Sequence, residues 1–253
     1  MMYSEIEKLS FGQKIERILK MINVKQAGEL PEMVKDIFDS EFSIVISFLN
    51  FQAMNLSRTN HQFYLALTNS DYLFRDGVGV ELFQKSLSID PGYNLNGTDF
   101  IPLLLTEAVE TKRPIVLWGT SECNLESAKA AIEDIGGIVE DTFDGFQAFD
   151  FYIARINSIS SDALVILGMG MPKQEVLSYS LKKTGSRIIV NGGAFIDFTS
   201  GNIKRAPEFF LTYKLEWLYR LLNEPRRLFK RTIIGGLWFS IYSCYFFLKK
   251  KIM

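Results

Sequence analysis

Three apolar runs of strand length, each ending in glycine, restrict this chain more than any other feature: 114–119 (PIVLWG), 163–170 (ALVILGMG) and 187–193 (RIIVNGG). A strand with one face in water alternates apolar and polar side chains. These runs barely alternate, so both faces must be covered, as in a parallel sheet between helical layers. Helical patterns separate them: 55–69 follows the run 42–49 (FSIVISFL), 125–135 follows the first glycine-ended run and 174–183 the second. Such repetition predicts an α/β fold with a doubly wound, mainly parallel sheet. Two more helical patterns, 3–22 and 30–38, precede it, with Pro31 in a first turn. The alternation stops near Lys204, which divides the chain into an α/β domain, 1–203, and a C-terminal segment, 204–253.

In an open parallel sheet, ligands sit beyond the carboxyl ends of the strands. Asn50, Asp76, Gly119, Thr120, the segment 168–174 and the segment 192–197 each follow a strand-like run or lie in a glycine turn, and are expected to line one crevice. Asp76 stands in RDGVG, where glycines allow close backbone approach and a carboxylate can take a proton from a ligand hydroxyl. The alternative is an Asp that caps the following helix. Asn50 lies 26 residues earlier; its amide can donate and accept at once on a ligand hydroxyl, or simply close an Asx turn. The GxG at Gly168 and Gly170 has Lys173 where a dinucleotide fingerprint needs glycine, which argues against a Rossmann dehydrogenase. Pro172 suits a first helical position, with its loop turning N–H groups toward an anion, and Glu175 suits a helix N-terminus.

Charge is unevenly distributed. From Lys204 onward there are 11 Lys/Arg against 3 Glu, a balance of +8, so the first 203 residues carry −9 within a total of −1. A basic end seeks an anionic partner. The segment 232–248 holds 17 residues without charge and is followed by Lys249, Lys250 and Lys251, which favours lipid and diphosphate over nucleic acid. Its length is at the lower limit for a bilayer span; membrane contact is the favoured expectation and a buried terminal helix the alternative. No Asp-x-Asp pair is present to hold a divalent ion on a diphosphate. Lys204, Arg205, Arg220, Arg226, Arg227 and Arg231 could neutralise a leaving group instead. The single His61 reads as a helix-surface residue, and Cys123 and Cys244 are too few for a zinc site or a disulfide framework. The opening residues show no apolar signal region, so a reducing, cytoplasmic location is expected.

The block 192–231, with GGAFID, KRAP and the arginine-rich run EWLYRLLNEPRRLFKR, resembles the WecG/TagA/CpsF glycosyltransferases, glycosyltransferase family 26. Asn50 in SFLN, DGVG at 76–79, GTD at 97–99, DGF at 144–146 and GMGMPKQE at 168–175 fall in the same order. The resemblance implies a GT-E-like fold and an inverting, metal-independent transferase without cofactor. Its donor would be a UDP-sugar and its acceptor a sugar on a polyprenyl diphosphate, at the cytoplasmic face of a bacterial plasma membrane, in surface-polysaccharide assembly. It implies that Asp76 is the general base, with Asn50 beside it and Gln174 touching substrate. Thr98, Asp99, Gly119, Gly145, Phe146, Gly168, Gly170, Lys173, Gly193 and Asp197 would bind substrates, with Asp197 at the nucleotide. Two positions depart from the pattern. Ile196 precedes Asp197, which implies changed packing, and Asn94 stands where relatives often carry a basic residue, which bears on donor choice. A reading from another class is a non-catalytic, membrane-associated nucleotide-binding scaffold, which would not need Asp76. Homo-oligomeric assembly is compatible with either.

Overall fold

The computed structural model describes residues 9–252; residues 3–8 of the first helical pattern lie outside the described residues, as do the side chains of Lys250 and Lys251. Six strands, β1 (Ile44–Leu49), β2 (Tyr72–Arg75), β3 (Pro114–Gly119), β4 (Ile138–Phe143), β5 (Leu164–Gly168) and β6 (Ile188–Asn191), form one sheet in the order β2-β1-β6-β5-β3-β4. Every pairing is parallel. Helices α1 (Phe11–Met21) and α2 (Leu30–Phe38) precede β1. Between β1 and β2 lie α3 (Phe51–Thr59) and α4 (His61–Thr68), and between β2 and β3 lie α5 (Val78–Ser86) and α6 (Gly97–Glu110). The crossovers α7 (Glu122–Asp134), α8 (Phe149–Arg155) and α9 (Lys173–Leu181) complete the sheet.

These bounds adjust the sequence expectations in detail. The pattern at 55–69 is two helices, because Asn60 ends α3 and its side chain accepts from Phe63 N to cap α4. Pro172 is the cap of α9, one position before its first residue. Ser10 opens α1 with a reciprocal capping box to Gln13.

Covered strands with period-two side chains explain the core. Ile46 and Phe48 face one cluster with Ile37 of α2, Leu104 of α6 and Leu125 of α7. Val45, Val116 and Val165 face the other, with Tyr152 of α8 and Leu177 of α9. Each fully buried aliphatic or aromatic side chain contributes about 1.5–3 kcal/mol. Gly119 and Gly168 are register partners in β3 and β5, and a Cβ on Gly119 would stand 2.4 Å from the Gly168 carbonyl carbon. Only glycine permits this approach, which brings bare backbone to the ends of the central strands.

After β6 the chain forms α10 (Phe195–Thr199), α11 (Glu208–Thr212), α12 (Glu216–Asn223), α13 (Pro225–Phe229), a π-helical turn (Lys230–Ile234) and α14 (Gly235–Ile252). One stripe of α14 is buried: Phe239 and Phe246 join the cluster that holds Leu49, Phe63 and Phe83. Tyr242 meets Phe11 at 5.0 Å and Phe239 meets Phe83 at 5.8 Å, both edge-on. Leu237, Trp238, Ile241, Tyr245 and Leu248 remain exposed. The helix thus has one packed face and one apolar face open to solvent. Among the described residues no helix is long and apolar enough to cross a membrane.

Candidate active site

Adjacent parallel strands with Leu49 opposite Arg75 place Asn50 beside Asp76 despite their separation in sequence. Asp76 N donates to Leu49 O at 2.9 Å, locking the two strand ends together. The Asn50 side chain does two things. Its Oδ1 accepts from Gln52 N and Ala53 N, both at 3.0 Å, and so caps α3; its Nδ2 donates to Asp76 Oδ2 at 3.3 Å. Asp76 itself caps nothing, because the N-cap of α5 is Gly77 at φ 89°. The capping alternative for Asp76 is therefore excluded, whereas for Asn50 both readings hold.

Burial pushes the Asp76 carboxyl above its ordinary value, opposed by the Asn50 hydrogen bond and by Arg220, Arg75 and Arg231. A half-buried carboxylate of raised basicity suits proton abstraction. Its neighbour Arg75 is buried. The Arg75 guanidinium donates to Pro91 O at 3.1 Å, Gly92 O at 3.2 Å, Asn94 Oδ1 at 2.9 Å and Glu81 Oε2 at 3.3 Å. Asn94, one of the two departures, also accepts from Gly77 N at 3.1 Å and so braces the turn that carries Asp76.

Beyond the end of β5, in the first turn of α9, Gln174 is almost fully buried. Its Oε1 accepts from Gly170 N at 3.0 Å and Gly193 N at 3.2 Å, and its Nε2 donates to Glu175 Oε1 at 2.9 Å. The amide joins the glycine loops after β5 and β6, with both ends engaged inside the protein. Glu175 is buried beneath it, and burial raises its pKa to about 7. Lys173 Nζ donates to Gly145 O at 2.9 Å and Gln147 O at 2.6 Å, fastening the loop after β4. In that loop Phe146 is 78% exposed, a free aromatic face at the rim.

Asp197 lies in α10, the short helix that follows β6, where Thr120 Oγ1 donates to its Oδ1 and Asn124 Nδ2 donates to the same oxygen at 2.9 Å. Asn124 belongs to this cluster without any motif to mark it; its position four residues after Thr120 on α7 is the signal. Ile196 is buried with its side chain against Gly168, which accounts for the packing departure beside Asp197. Thr98 and Asp99 open α6, where Asn96 Nδ2 donates to Asp99 Oδ2 at 2.7 Å and Arg205 pairs with the other oxygen.

The arginines gather on the Asp76 side. Arg220 stacks over Phe198 at 5.6 Å, and among the described residues its buried Nε has no hydrogen-bond partner. Arg227 pairs with Glu224 at 2.5 Å. Solvent still reaches Arg231, yet packing around it, together with Arg220 and Arg227, lowers its pKa. Arg58, Arg227, Lys230, Arg231 and Trp238 line an open cavity of about 490 Å3 with no carboxylate in its wall. Cations crowded in this way repel one another until an anion enters. Lys204 and Arg226 are exposed and touch none of these groups through a described hydrogen bond. Among the described residues no group of three His, Cys, Asp or Glu side chains could hold a metal ion. Cys123 and Cys244 are free and exposed.

Together, fold and site define a doubly wound α/β protein with a basic carboxylate at the strand ends and an anion-seeking arginine cluster beside it. The chain belongs to the glycosyl transferase WecG/TagA/CpsF family, whose model matches residues 17–251. It is similar to an N-acetylglucosaminyldiphosphoundecaprenol N-acetyl-beta-D-mannosaminyltransferase of Bacillus spizizenii, with 29% identity over 71% of this chain and 69% of that one. A protein of the same name from Bacillus subtilis is 24% identical over 81% of this chain and 82% of its own length.

Proposed function

We propose that this protein is an inverting glycosyltransferase that needs no metal and moves a sugar from a UDP-sugar to a sugar on a polyprenyl diphosphate. The names of the two relatives suggest N-acetylmannosamine as the transferred sugar and N-acetylglucosaminyl-diphospho-undecaprenol as the acceptor. The observation that carries the reading is the Asn50–Asp76 pair at the ends of β1 and β2, within the field of Arg220 and Arg231. Asp76 takes the proton of the acceptor hydroxyl. The freed oxygen lone pair attacks the anomeric carbon, and the bond from that carbon to the diphosphate oxygen breaks. UDP leaves with the bonding electrons, and arginines neutralise its developing charge.

Thr120, Asn124 and Asp197 with the glycine loops form the nucleotide side, while Arg205, Arg220, Arg226, Arg227 and Lys204 serve the diphosphate. Segment 204–253 then acts as a membrane-association element. The exposed apolar face of α14 enters the interfacial region of the cytoplasmic leaflet and the basic groups meet anionic headgroups. A panel of UDP-sugars, including UDP-N-acetylmannosamine, offered with a short-chain polyprenyl-diphosphate N-acetylglucosamine tests the proposal by UDP release and product mass. Release that depends on the acceptor, with one added sugar, is expected. UDP release without a glycosylated lipid product, or none with any donor, contradicts it.

A further inference from the structure

The Glu81 carboxylate, on α5, is the meeting point of three cations. Lys214 Nζ lies 2.8 Å from both of its oxygens, Lys85 Nζ 2.7 Å from Oε1 and Arg75 Nη1 3.3 Å from Oε2. Only 7% of the Glu81 side chain and 3% of the Arg75 side chain are exposed, so this is not a loose surface pair. Burial works against the Glu81 charge, but Lys214, Lys85 and Arg75 hold its pKa down to about 2.

Two of the three partners come from places that matter to the site. Arg75 is the residue before Asp76, and its guanidinium shares Asn94 Oδ1 with Gly77 N. Lys214 comes from the C-terminal segment, held in a left-handed turn (φ 58°) after α11. Two residues later α12 begins, and its second turn carries Arg220. Lys85 is different: it sits on the same helix as Glu81, four residues on, and ties it to nothing else.

We propose that Glu81 is a positioning residue that takes Lys214 of the C-terminal segment and Arg75 of the Asp76 turn on one carboxylate, so that Arg220 and Asp76 are set relative to each other. Seating of the segment then belongs to formation of the competent site. Binding to a state populated in only a fraction of molecules weakens apparent affinity by that fraction. Loosening the tie should therefore raise the KM for the UDP-sugar, whose diphosphate Arg220 serves, and leave kcat nearly intact at saturation. General destabilisation would instead lower kcat by removing active molecules. The kinetic part rests on the reading of Asp76 and Arg220 given above.

The test compares full-length Lys214→Met, Lys85→Met and Lys214→Arg. Each methionine variant removes one charge from the same carboxylate and leaves it two partners, so folding should survive. Hydrogen–deuterium exchange is the first readout. Lys214→Met should speed amide exchange within 208–223 by about tenfold, Lys85→Met should not, and Lys214→Arg should restore protection. With UDP-N-acetylmannosamine and the short-chain acceptor, Lys214→Met should raise the KM for UDP-N-acetylmannosamine by about tenfold, with kcat within about threefold. Unchanged exchange in Lys214→Met, equal exchange in both methionine variants, or a fall in kcat at constant KM overturns the proposal. If the wild type transfers nothing with these probes, the functional reading fails, while the exchange comparison still decides the tie.

Discussion

Replacing Asn50 separates its two contacts. Asn50→Ala removes the acceptor that caps α3 through Gln52 N and Ala53 N and the donor that holds Asp76 Oδ2 at 3.3 Å. Loss of an N-cap costs about 1 kcal/mol, which in a domain of this size lowers Tm by about 2–4 °C. A hydrogen bond to a charged acceptor is worth about 1.5–3 kcal/mol. At this length the low end applies, equivalent to about a tenfold loss in kcat. Asn50→Ser keeps a capping oxygen but cannot bridge to Asp76, so it should recover the Tm and not the turnover. Asn50→Asp keeps the cap and places a second carboxylate against Asp76, which raises the Asp76 pKa further. The acid limb of its pH–rate profile should then move upward. Differential scanning calorimetry and UDP release across pH measure both effects. Wild-type turnover in Asn50→Ser would refute the idea that this amide tunes the base.

Three further outcomes are expected. The Glu175 carboxyl, raised by burial to about 7 from an ordinary 4.5, contributes stability that is complete below about pH 4.5 and lost as pH rises through 7. Glu175→Gln should therefore gain unfolding free energy relative to wild type between about pH 5 and pH 8, by at most about 3 kcal/mol; a pH-independent difference would show that this group does not titrate there. The triple variant Leu237→Ser, Ile241→Ser, Tyr245→Ser should keep its far-ultraviolet spectrum and bind anionic vesicles about tenfold more weakly or worse. Equal sedimentation would mean that the exposed face of α14 is not the membrane contact. Transfer should survive excess EDTA, and loss of activity restored by magnesium or manganese would contradict an arginine-stabilised leaving group.

The apolar runs 114–119, 163–170 and 187–193 announced three of the six strands because their apolar residues are consecutive rather than alternating with polar ones. β4 (IVEDTF) gave no such signal. It is an edge strand with Ile138 exposed, and its Asp141 is held by Trp118 Nε1 at 2.8 Å and by Arg155, partners that no local pattern displays. Asn50 and Asp76 were legible as candidates because each ends a strand-like run. Their contact was not, since it depends on β1 and β2 being neighbours. The resemblance marked Gln174 as a substrate contact; its bonds to Gly170, Gly193 and Glu175 were not legible, since the loops that surround it meet only in the folded sheet. Glu81 was silent for the same reason, because Lys214 lies 133 residues away. The stripe Phe239, Tyr242 and Phe246, by contrast, has the spacing of a packed helix face and is visible in the sequence of an otherwise uniform apolar run.

The central claim is that Asp76 takes the acceptor's proton, and Asp76→Asn tests it with least disturbance. The amide preserves the shape beside Asn50 and cannot accept a proton at neutral pH. Transfer from UDP-N-acetylmannosamine to the short-chain lipid acceptor should fall about 10²–10⁴-fold, while the Tm and UDP binding stay close to those of the wild type. Turnover within a few-fold of wild type would contradict the account.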